Sequence, residues 1–410
     1  MARSEIETIR ELLASKPRPV GWSERRQRLD EVGSVWPVAD DVKVVPVDAG
    51  GVAGEWSSVP GSDASRVLLF FHGGGYCSGS IRSHRRMVSE AGRAAKVRTL
   101  AIAYRLAPEH PYPAALEDAC SAWRFLRQAG IAAAHIAVGG DSAGGGLTAA
   151  LIGRLKAAGE ELPGCAWLVS PWVDLTMSGS TITSKDAVDP LIHKAYLEEL
   201  AGAYVPAGTN RTDPSISPLF ADLRGFPPCL IQIGSAETLL ADATRFAAAA
   251  GVADVSMRLE IWPHMIHACH LWNAHSKPEG TPWAVPESLS GHIYNHSERT
   301  EIMPKYLVEG RYTSDGLKGL AHEGSSRRRA DIARTIESAG GKMDSLYFAF
   351  GDADFYIILD VPDNVSAAAL SVVANQSGFV TSKVIVLLTT EDMDQAIKKT
   401  ATIEFLPPGH

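Results

Sequence analysis

The first 270 residues alternate short apolar runs with segments of helical periodicity, and this alternation limits the possible folds more than any other feature of the chain. Continuous apolar runs that end at glycine or polar turns are typical of strands buried on both faces. The predicted strands are 66–71, 97–104, 135–140, 165–170, 229–234 and 255–262, and the predicted helices are 114–130, 145–159 and 238–251. The pattern predicts an α/β fold with a mostly parallel, doubly wound sheet.

Residues 175–225 interrupt this rhythm and contain an amphipathic segment, HKAYLEELAGAY. We expect this insertion and residues 1–40 to form a lid over the carboxyl ends of the strands. Trp22 and Trp36 are among the lid residues expected to shape the substrate pockets.

The charge balance and the cysteines exclude several functional classes. Acidic residues outnumber basic ones by 47 to 39, which gives a net charge of −8 and no basic surface for nucleic acid. The chain has neither an N-terminal apolar segment nor a run long enough to span a membrane. Its five cysteines are scattered and lack metal-binding spacing, which is typical of a reducing compartment. We therefore expect a cytoplasmic protein without a membrane span.

Residues 140–144 read Gly-Asp-Ser-Ala-Gly and lie between a predicted strand and a predicted helix. In that context the GxSxG pattern indicates a nucleophile turn. A strained residue projects its hydroxyl at a helix N-terminus, and the flanking glycines let neighbouring backbone pass closely. Ser142 is therefore the candidate nucleophile, although the pattern without its neighbours would indicate only a glycine turn.

A second glycine-rich segment, FFHGGGYCSGS, follows the strand that ends at residue 71. Backbone N–H groups can stabilise a tetrahedral intermediate if they approach its oxygen without side-chain collisions, which glycine permits. We expect the donors to be the N–H groups of Gly74, Gly75 and Ala143. A phosphate-binding loop would end in Lys-Ser/Thr, which is absent here. His72 suits a supporting role for the loop better than the role of a base.

Five spaced motifs resemble those of the bacterial hormone-sensitive-lipase-like esterases, family IV of the α/β hydrolases, and within them the monoterpene lactone hydrolase branch. The motifs are HGGGY, YRLAPEHPYPAALED, GDSAGGG, SPWVDL and IQIGSAETLL. The resemblance covers residues 20–270. It implies an α/β-hydrolase fold with a lid and hydrolysis of carboxylic esters without a metal or another cofactor.

The acid of such a triad follows the nucleophile and precedes the histidine in the chain. The family's pattern G-x-x-Asp/Glu-x-Leu matches residues 234–239 and implies Glu237 as the acid. Asp242 is the alternative, one helical turn later, where a capping or solvated role suits it better. Asp174 and Asp189 come too early in the chain order.

The base should follow the last strand, where the family's Gly-Met-x-His pattern implies His267, with His264 in place of the glycine. A metal site built from His264, His267 and His270 is disfavoured. On a helix the sixth residue on leaves the shared face, and no carboxylate or cysteine completes the set. His264, His270 and His275 are expected at the rim or on the surface.

These residues predict a serine carboxylesterase that hydrolyses short-chain carboxylic esters through an acyl-enzyme on Ser142. Lactones and small aromatic esters remain open as substrates, and the expected partner is a small-molecule ester. The alternative is a non-catalytic small-ligand receptor on the same fold. The plant gibberellin receptor resembles this family but lacks the histidine base. Because this chain has a serine, an acid and a histidine at the matching positions, we favour the enzyme.

Residues 303–398 carry a different pattern, in which strands and helices follow the ferredoxin-like order β-α-β-β-α-β. The predicted strands are 304–312, 343–351, 354–362 and 381–389, and the predicted helices are 314–339, 363–378 and 391–399. The segment resembles the bacterial GYD-domain proteins, whose sheets tend to pair into dimers. We expect an α+β domain without a catalytic role, homodimerisation through this domain, and a tail at 399–410.

Residues 271–302 are predicted to be an irregular linker. A hydrolase of this family ends in an amphipathic helix, which Pro278, Pro282 and Pro286 would break. A change of reading frame that fused two genes is one hypothesis for this segment, and the coding DNA would decide it.

Overall fold

The computed structural model describes residues 9–11, 13, 15, 19–35, 37–272, 304–349, 351–388, 393 and 397. The chain divides into two compact units, Met1–Glu298 and Arg299–His410. The predictions for Trp36, for the linker from residue 273 onward, for most of the helix 391–399 and for the tail lie outside the described residues.

An eight-stranded sheet forms the centre of the first unit. Its strands are β1 (Lys43–Asp48), β2 (Ala53–Ser58), β3 (Asp63–Phe71), β4 (Val97–Ile102), β5 (Ile136–Asp141), β6 (Cys165–Val169), β7 (Cys229–Gly234) and β8 (Met257–Trp262). The strands lie in the order β1-β2-β4-β3-β5-β6-β7-β8. From β4 to β8 all neighbours are parallel, whereas β1 and β2 are antiparallel at one edge. This confirms the predicted fold class.

Helices cover both faces of this sheet, because alternate residues of the buried strands point to opposite sides. Leu69 and Phe71 of β3 pack into one hydrophobic core, and Leu68 and Phe70 pack into the other. The helices are α1 (Trp22–Gly33), α2 (Ile81–Ala95), α3 (Ala114–Gln128), α4 (Ala143–Ala157), α5 (Thr181–Ser184), α6 (Lys194–Tyr204) and α7 (Leu240–Val252). None of the helices among the described residues is long and apolar enough to cross a bilayer.

The predicted elements of this unit did not include β1, β2 or α2. Strand β1 is almost entirely exposed and β2 only partly buried, so neither carries a continuous apolar run. Helix α2 buries mainly small or polar residues, with Met87 and Val88 as its larger apolar side chains, and its several arginines conceal its periodicity. Its N-terminus is fixed by Ser80, whose side chain accepts from the N–H of Ser83 while the Ser83 hydroxyl accepts from the N–H of Ser80.

The second unit is an antiparallel sheet with helices. Its elements are β9 (Lys305–Tyr312), α8 (Ser314–Glu323), α9 (Ser325–Ser338), β10 (Lys342–Phe348), β11 (Phe355–Asp360), α10 (Asn364–Gln376) and β12 (Val380–Leu387). The strand order β10-β11-β9-β12 is that of the ferredoxin-like arrangement. The single helix predicted for 314–339 is wrong: two helices occur, separated at Gly324, whose φ of 84° interrupts the helical backbone.

Candidate active site

Ser142 lies at the sharp turn between β5 and α4. Its backbone has φ 55° and ψ −120°, a strained conformation for a residue with a side chain. The turn is held from both sides, because the Ser142 N–H donates to the carbonyl of Val169 at 2.8 Å and its carbonyl accepts from Trp172 at 2.9 Å. The sheet and the next loop thus hold the hydroxyl at the N-terminus of α4.

The positions two residues before and after Ser142 have no room for a side chain, so both must be glycine. A Cβ on Gly140 would collide with the backbone of Gly144, and a Cβ on Gly144 would collide with the carbonyl of Phe71 at the end of β3. The turn can therefore pack against the sheet only when both positions lack a side chain.

Replacing Gly144 with alanine should destabilise the turn, because its methyl group would meet backbone and not a movable side chain. We expect the free energy of unfolding to fall by about 2 kcal/mol or more. Gly153→Ala in the same helix is the matched control, since the nearest atom to its Cβ would be Phe226 Cζ at 3.9 Å. Chemical denaturation of both variants checks this, and equal losses would contradict it.

Glu237 and His267 form a buried pair beside this turn. Glu237 lies in the loop after β7, and its Oε2 accepts from Nδ1 of His267 at 3.0 Å. Burial would lower the pKa of His267, but the hydrogen bond and charge of Glu237 outweigh it and raise that pKa above its ordinary value. The contact fixes which ring nitrogen carries the proton and leaves the other ring nitrogen free to act as a base.

Ser170 ties the acid loop to the histidine loop, a role that the sequence analysis missed. Its hydroxyl donates to Oε1 of Glu237 at 2.8 Å and accepts from the N–H of Ala268 at 3.1 Å. Ser170 is the first residue of the SPWVDL motif, so its place in that motif was the available signal.

The expected oxyanion donors lie in the loop of residues 72–79, here called the glycine loop, and at the start of α4. Gly74 and Gly75 have φ values of 112° and 65°, conformations that favour glycine. Within the described part of the chain, the N–H groups of Gly74, Gly75 and Ala143 donate to no protein acceptor. These donors are available to a substrate oxygen.

His72 is the first residue of the glycine loop, and its buried ring braces the loop against a neighbouring residue. Its ring stacks on Tyr104 with a centroid separation of 4.2 Å, and its Nδ1 lies 2.8 Å from the carbonyl of Gly73. Burial lowers the pKa of His72 to about 3, so the ring is neutral. The Tyr104 hydroxyl in turn donates to the carbonyl of His72 at 2.7 Å.

A cavity of about 690 Å³ opens above these groups, a size usual for small-molecule sites. Ser142, His267, Gly74 and Gly75 line its floor. Its other walls are mainly apolar and come from the N-terminal segment, including α1, and from the inserted segment, including α6. Representative wall residues are Leu29, Val32, Leu191, Ile192, Leu197 and Leu200.

The alternative acids occupy other positions. Asp242 is buried, and its Oδ2 accepts from the N–H groups of Val173 and Asp174 at 3.0 and 2.9 Å. Burial raises the pKa of Asp242 to about 8. Asp174 pairs with Arg245 at 2.8 Å. Asp189 accepts from the N–H of Thr238, so it braces the acid loop from the inserted segment.

The prediction that His270 lies at the rim or surface is wrong. Its ring is buried, stacks on Trp262, and its Nε2 lies 3.1 Å from Oε1 of Gln232 in β7. Gln232 also accepts from the indole N–H of Trp167. His264 is exposed, as expected, and His275 lies outside the described residues. Of these neighbouring histidines, His267 lines the cavity, whereas His270 lies in the buried interior.

Two family models match this chain. Residues 68–271 match the α/β-hydrolase fold family, and residues 306–397 match the GYD domain. An acetyl-hydrolase of Streptomyces hygroscopicus is 38% identical over 68% of this chain and 93% of its own length. An esterase of Acinetobacter venetianus is 33% identical over 61% of this chain and 82% of its own length.

Solved structures agree with the sequence relatives. A crystal structure of an esterase from the bacterial hormone-sensitive lipase family is 38% identical, with a TM-score of 0.66 over 72% of this chain and 97% of that one. The esterase EstE5, in a crystal soaked with p-nitrophenyl butyrate, is 36% identical, with a TM-score of 0.66 over 71% of this chain and 98% of that one.

Proposed function

The chain belongs to the bacterial hormone-sensitive-lipase-like esterases, carboxylic ester hydrolases of the α/β-hydrolase fold with a GYD domain appended here, and on that premise we propose that Ser142 is its nucleophile. The observation that carries the proposal is that His267, paired with the buried Glu237, lines one cavity with Ser142, Gly74 and Gly75. Among the described residues the N–H groups of these two glycines have no protein acceptor.

His267 takes the proton of Ser142 as Oγ attacks the ester carbonyl carbon. The carbonyl oxygen becomes an anion and accepts from the N–H groups of Gly74, Gly75 and Ala143. When this intermediate collapses, the bond to the alcohol oxygen breaks and His267 protonates the departing alcohol. Water then attacks the acyl-enzyme as His267 removes its proton. The bond between the acyl carbon and Oγ of Ser142 breaks, His267 returns the proton to Oγ, and the carboxylic acid leaves.

Glu237 keeps the Nδ1 proton of His267 in place and stabilises the imidazolium that forms in each step. Its Oε1 is held by the Ser170 hydroxyl, so the carboxylate stays oriented during turnover.

We place the substrate among short-chain carboxylic esters, with lactones and small aromatic esters as further members of that class. The packing of Leu200 of α6 directly on Gly75 supports this assignment, because it limits the space beside one of the expected oxyanion donors. The name acetyl-hydrolase of one relative and the p-nitrophenyl butyrate soaked into another agree with small acyl groups.

A panel of p-nitrophenyl esters of graded chain length tests this assignment. We expect kcat/KM to be highest between acetyl and hexanoyl esters and at least about tenfold lower for the dodecanoyl ester, because Leu200 limits the space beside Gly75. Leu200→Ala should narrow that difference. Phe220→Ala, an exposed position of the inserted segment, should leave it unchanged. A wild-type optimum at dodecanoyl would contradict the short-chain assignment.

We assign the hydrolase to residues 1–270 and the GYD-like domain to residues 303–398, with homodimerisation or sensing as the role of the latter. All six candidate site residues lie in the first unit, so the second is expected to act on assembly or regulation.

A further inference from the structure

His84 and Asp141 form a second buried ionisable pair next to the glycine loop, which the mechanism above does not use. Nε2 of His84 lies 3.2 Å from a carboxylate oxygen of Asp141, and both side chains are almost fully buried. Asp141 immediately precedes Ser142, whereas His84 lies in the first turn of α2. Both residues border the candidate substrate cavity.

Both ring nitrogens of His84 face acceptors. Nε2 faces Asp141, and Nδ1 lies 2.8 Å from the hydroxyl of Ser83. Nδ1 also lies 3.3 Å from the carbonyl oxygen of Ser80, which can only accept, so a proton on Nδ1 has an acceptor within reach. This geometry offers an acceptor to each ring nitrogen, as the two N–H groups of an imidazolium require.

Asp141 in turn holds the first glycine of the loop. Its Oδ1 accepts from the N–H of Gly73 at 2.8 Å, a shorter contact than the 3.3 Å from that N–H to Nε2 of His84. A Cβ on Gly73 would collide with the carboxylate. Burial would raise the pKa of Asp141, but the charge and hydrogen bond of His84 lower it below its ordinary value, so the carboxylate is ionised.

A buried carboxylate at this point has two opposing effects. It fixes the loop through Gly73, directly before the donors Gly74 and Gly75. Its negative charge would also oppose the anion that develops on the substrate oxygen, because charges interact strongly in a water-poor site. A compensating cation is therefore needed for the contact to serve the reaction.

We propose that His84, as an imidazolium, is a positioning residue that neutralises Asp141 and so lets this carboxylate hold the glycine loop in register for the oxyanion. The inference rests on the proposed function, since it assumes that Gly74 and Gly75 donate to the substrate oxygen.

His84→Gln removes the charge and keeps a side chain that can donate a hydrogen bond. We expect kcat to fall by about 10- to 100-fold with KM changed less than about threefold, because donors misaligned for the oxyanion weaken transition-state binding alone. The Ki of a trifluoromethyl ketone, which forms an oxyanion on the serine, should rise in parallel. Ser57→Ala removes another buried hydrogen bond of the sheet and is the control, with kcat unchanged.

The double variant His84→Gln/Asp141→Asn separates charge balance from packing. Asparagine can still accept from Gly73 but carries no charge, so we expect at least about tenfold recovery of kcat over His84→Gln. A decrease in kcat equal to or greater than that of the single variant would overturn the proposal.

If His84→Gln does not fold, the two Asp141 variants provide the test. The kcat of Asp141→Asn should stay within about threefold of wild type, and that of Asp141→Ala should be at least about tenfold lower. Equal values for those two would overturn it.

Labelling with a fluorophosphonate distinguishes this failure from a failure of the proposed function. If wild type is labelled on Ser142 and His84→Gln keeps full kcat, only the role of His84 is wrong. If wild type is not labelled on Ser142, the assignment of the nucleophile is wrong, and the role of His84 falls with it.

Discussion

Ser142→Ala should lower kcat/KM for p-nitrophenyl butyrate by at least about 10⁴-fold while the protein remains folded. Without the hydroxyl no acyl-enzyme can form, and only the remaining donors and substrate binding can assist direct attack by water. Alanine also keeps the backbone at the turn, because the hydrogen bonds to Val169 and Trp172 come from main-chain atoms of residue 142.

Ser89→Ala is the matched control for that variant. Ser89 is also a buried serine, but its hydroxyl donates to the carbonyl of Arg86 within α2, away from the cavity. We expect its kcat/KM to equal that of wild type. Circular dichroism and denaturation midpoints should show that both variants are folded. Wild-type turnover by a folded Ser142→Ala protein would refute the assignment of the nucleophile.

Glu237→Gln should lower kcat by about 10³- to 10⁴-fold and move the acid limb of the pH profile of kcat/KM to lower pH. The base must be neutral to accept the proton of Ser142, so activity falls as pH decreases through the pKa of His267. Because Glu237 raises that pKa, its neutralisation lowers it, and the residual activity persists to lower pH.

Asp242→Asn controls for the replacement of another buried acidic side chain by its amide. Asp242 binds the N–H groups of Val173 and Asp174, which the asparagine oxygen can still accept. We expect its acid limb to coincide with that of wild type. An acid limb that stays in place in Glu237→Gln, or that moves equally in both variants, would show that Glu237 does not set the pKa of His267.

The central strands could be predicted because a strand that is buried on both faces consists almost entirely of apolar residues. In the sequence, strand β7 is a run of buried residues in which Gln232 is the one polar side chain. The exposed edge strand β1 has no such apolar run, because both polar and apolar residues are tolerated at an exposed edge. In the second unit, Gly324 could have indicated the end of a helix, but the flanking helical periodicity concealed it.

The candidate site divides in the same way. Ser142 and the glycines follow from local geometry, whereas Glu237 and His267 were found through a family pattern. Their supports were missed because they depend on contacts between distant segments. Ser170 reaches Glu237 across 67 positions of the chain, and Asp141 reaches His84 across 57. The position of His270 was wrongly predicted for the same reason, since its partner Gln232 lies in β7, 38 positions earlier in the chain.

The most direct test of the central claim is intact-protein and peptide mass spectrometry of the full chain, quenched in acid during turnover of p-nitrophenyl butyrate. We expect one butyryl group per chain, located on the peptide that contains Ser142 and absent from the Ser142→Ala protein. A butyryl group on any other residue that forms and decays at the rate of turnover would contradict the account.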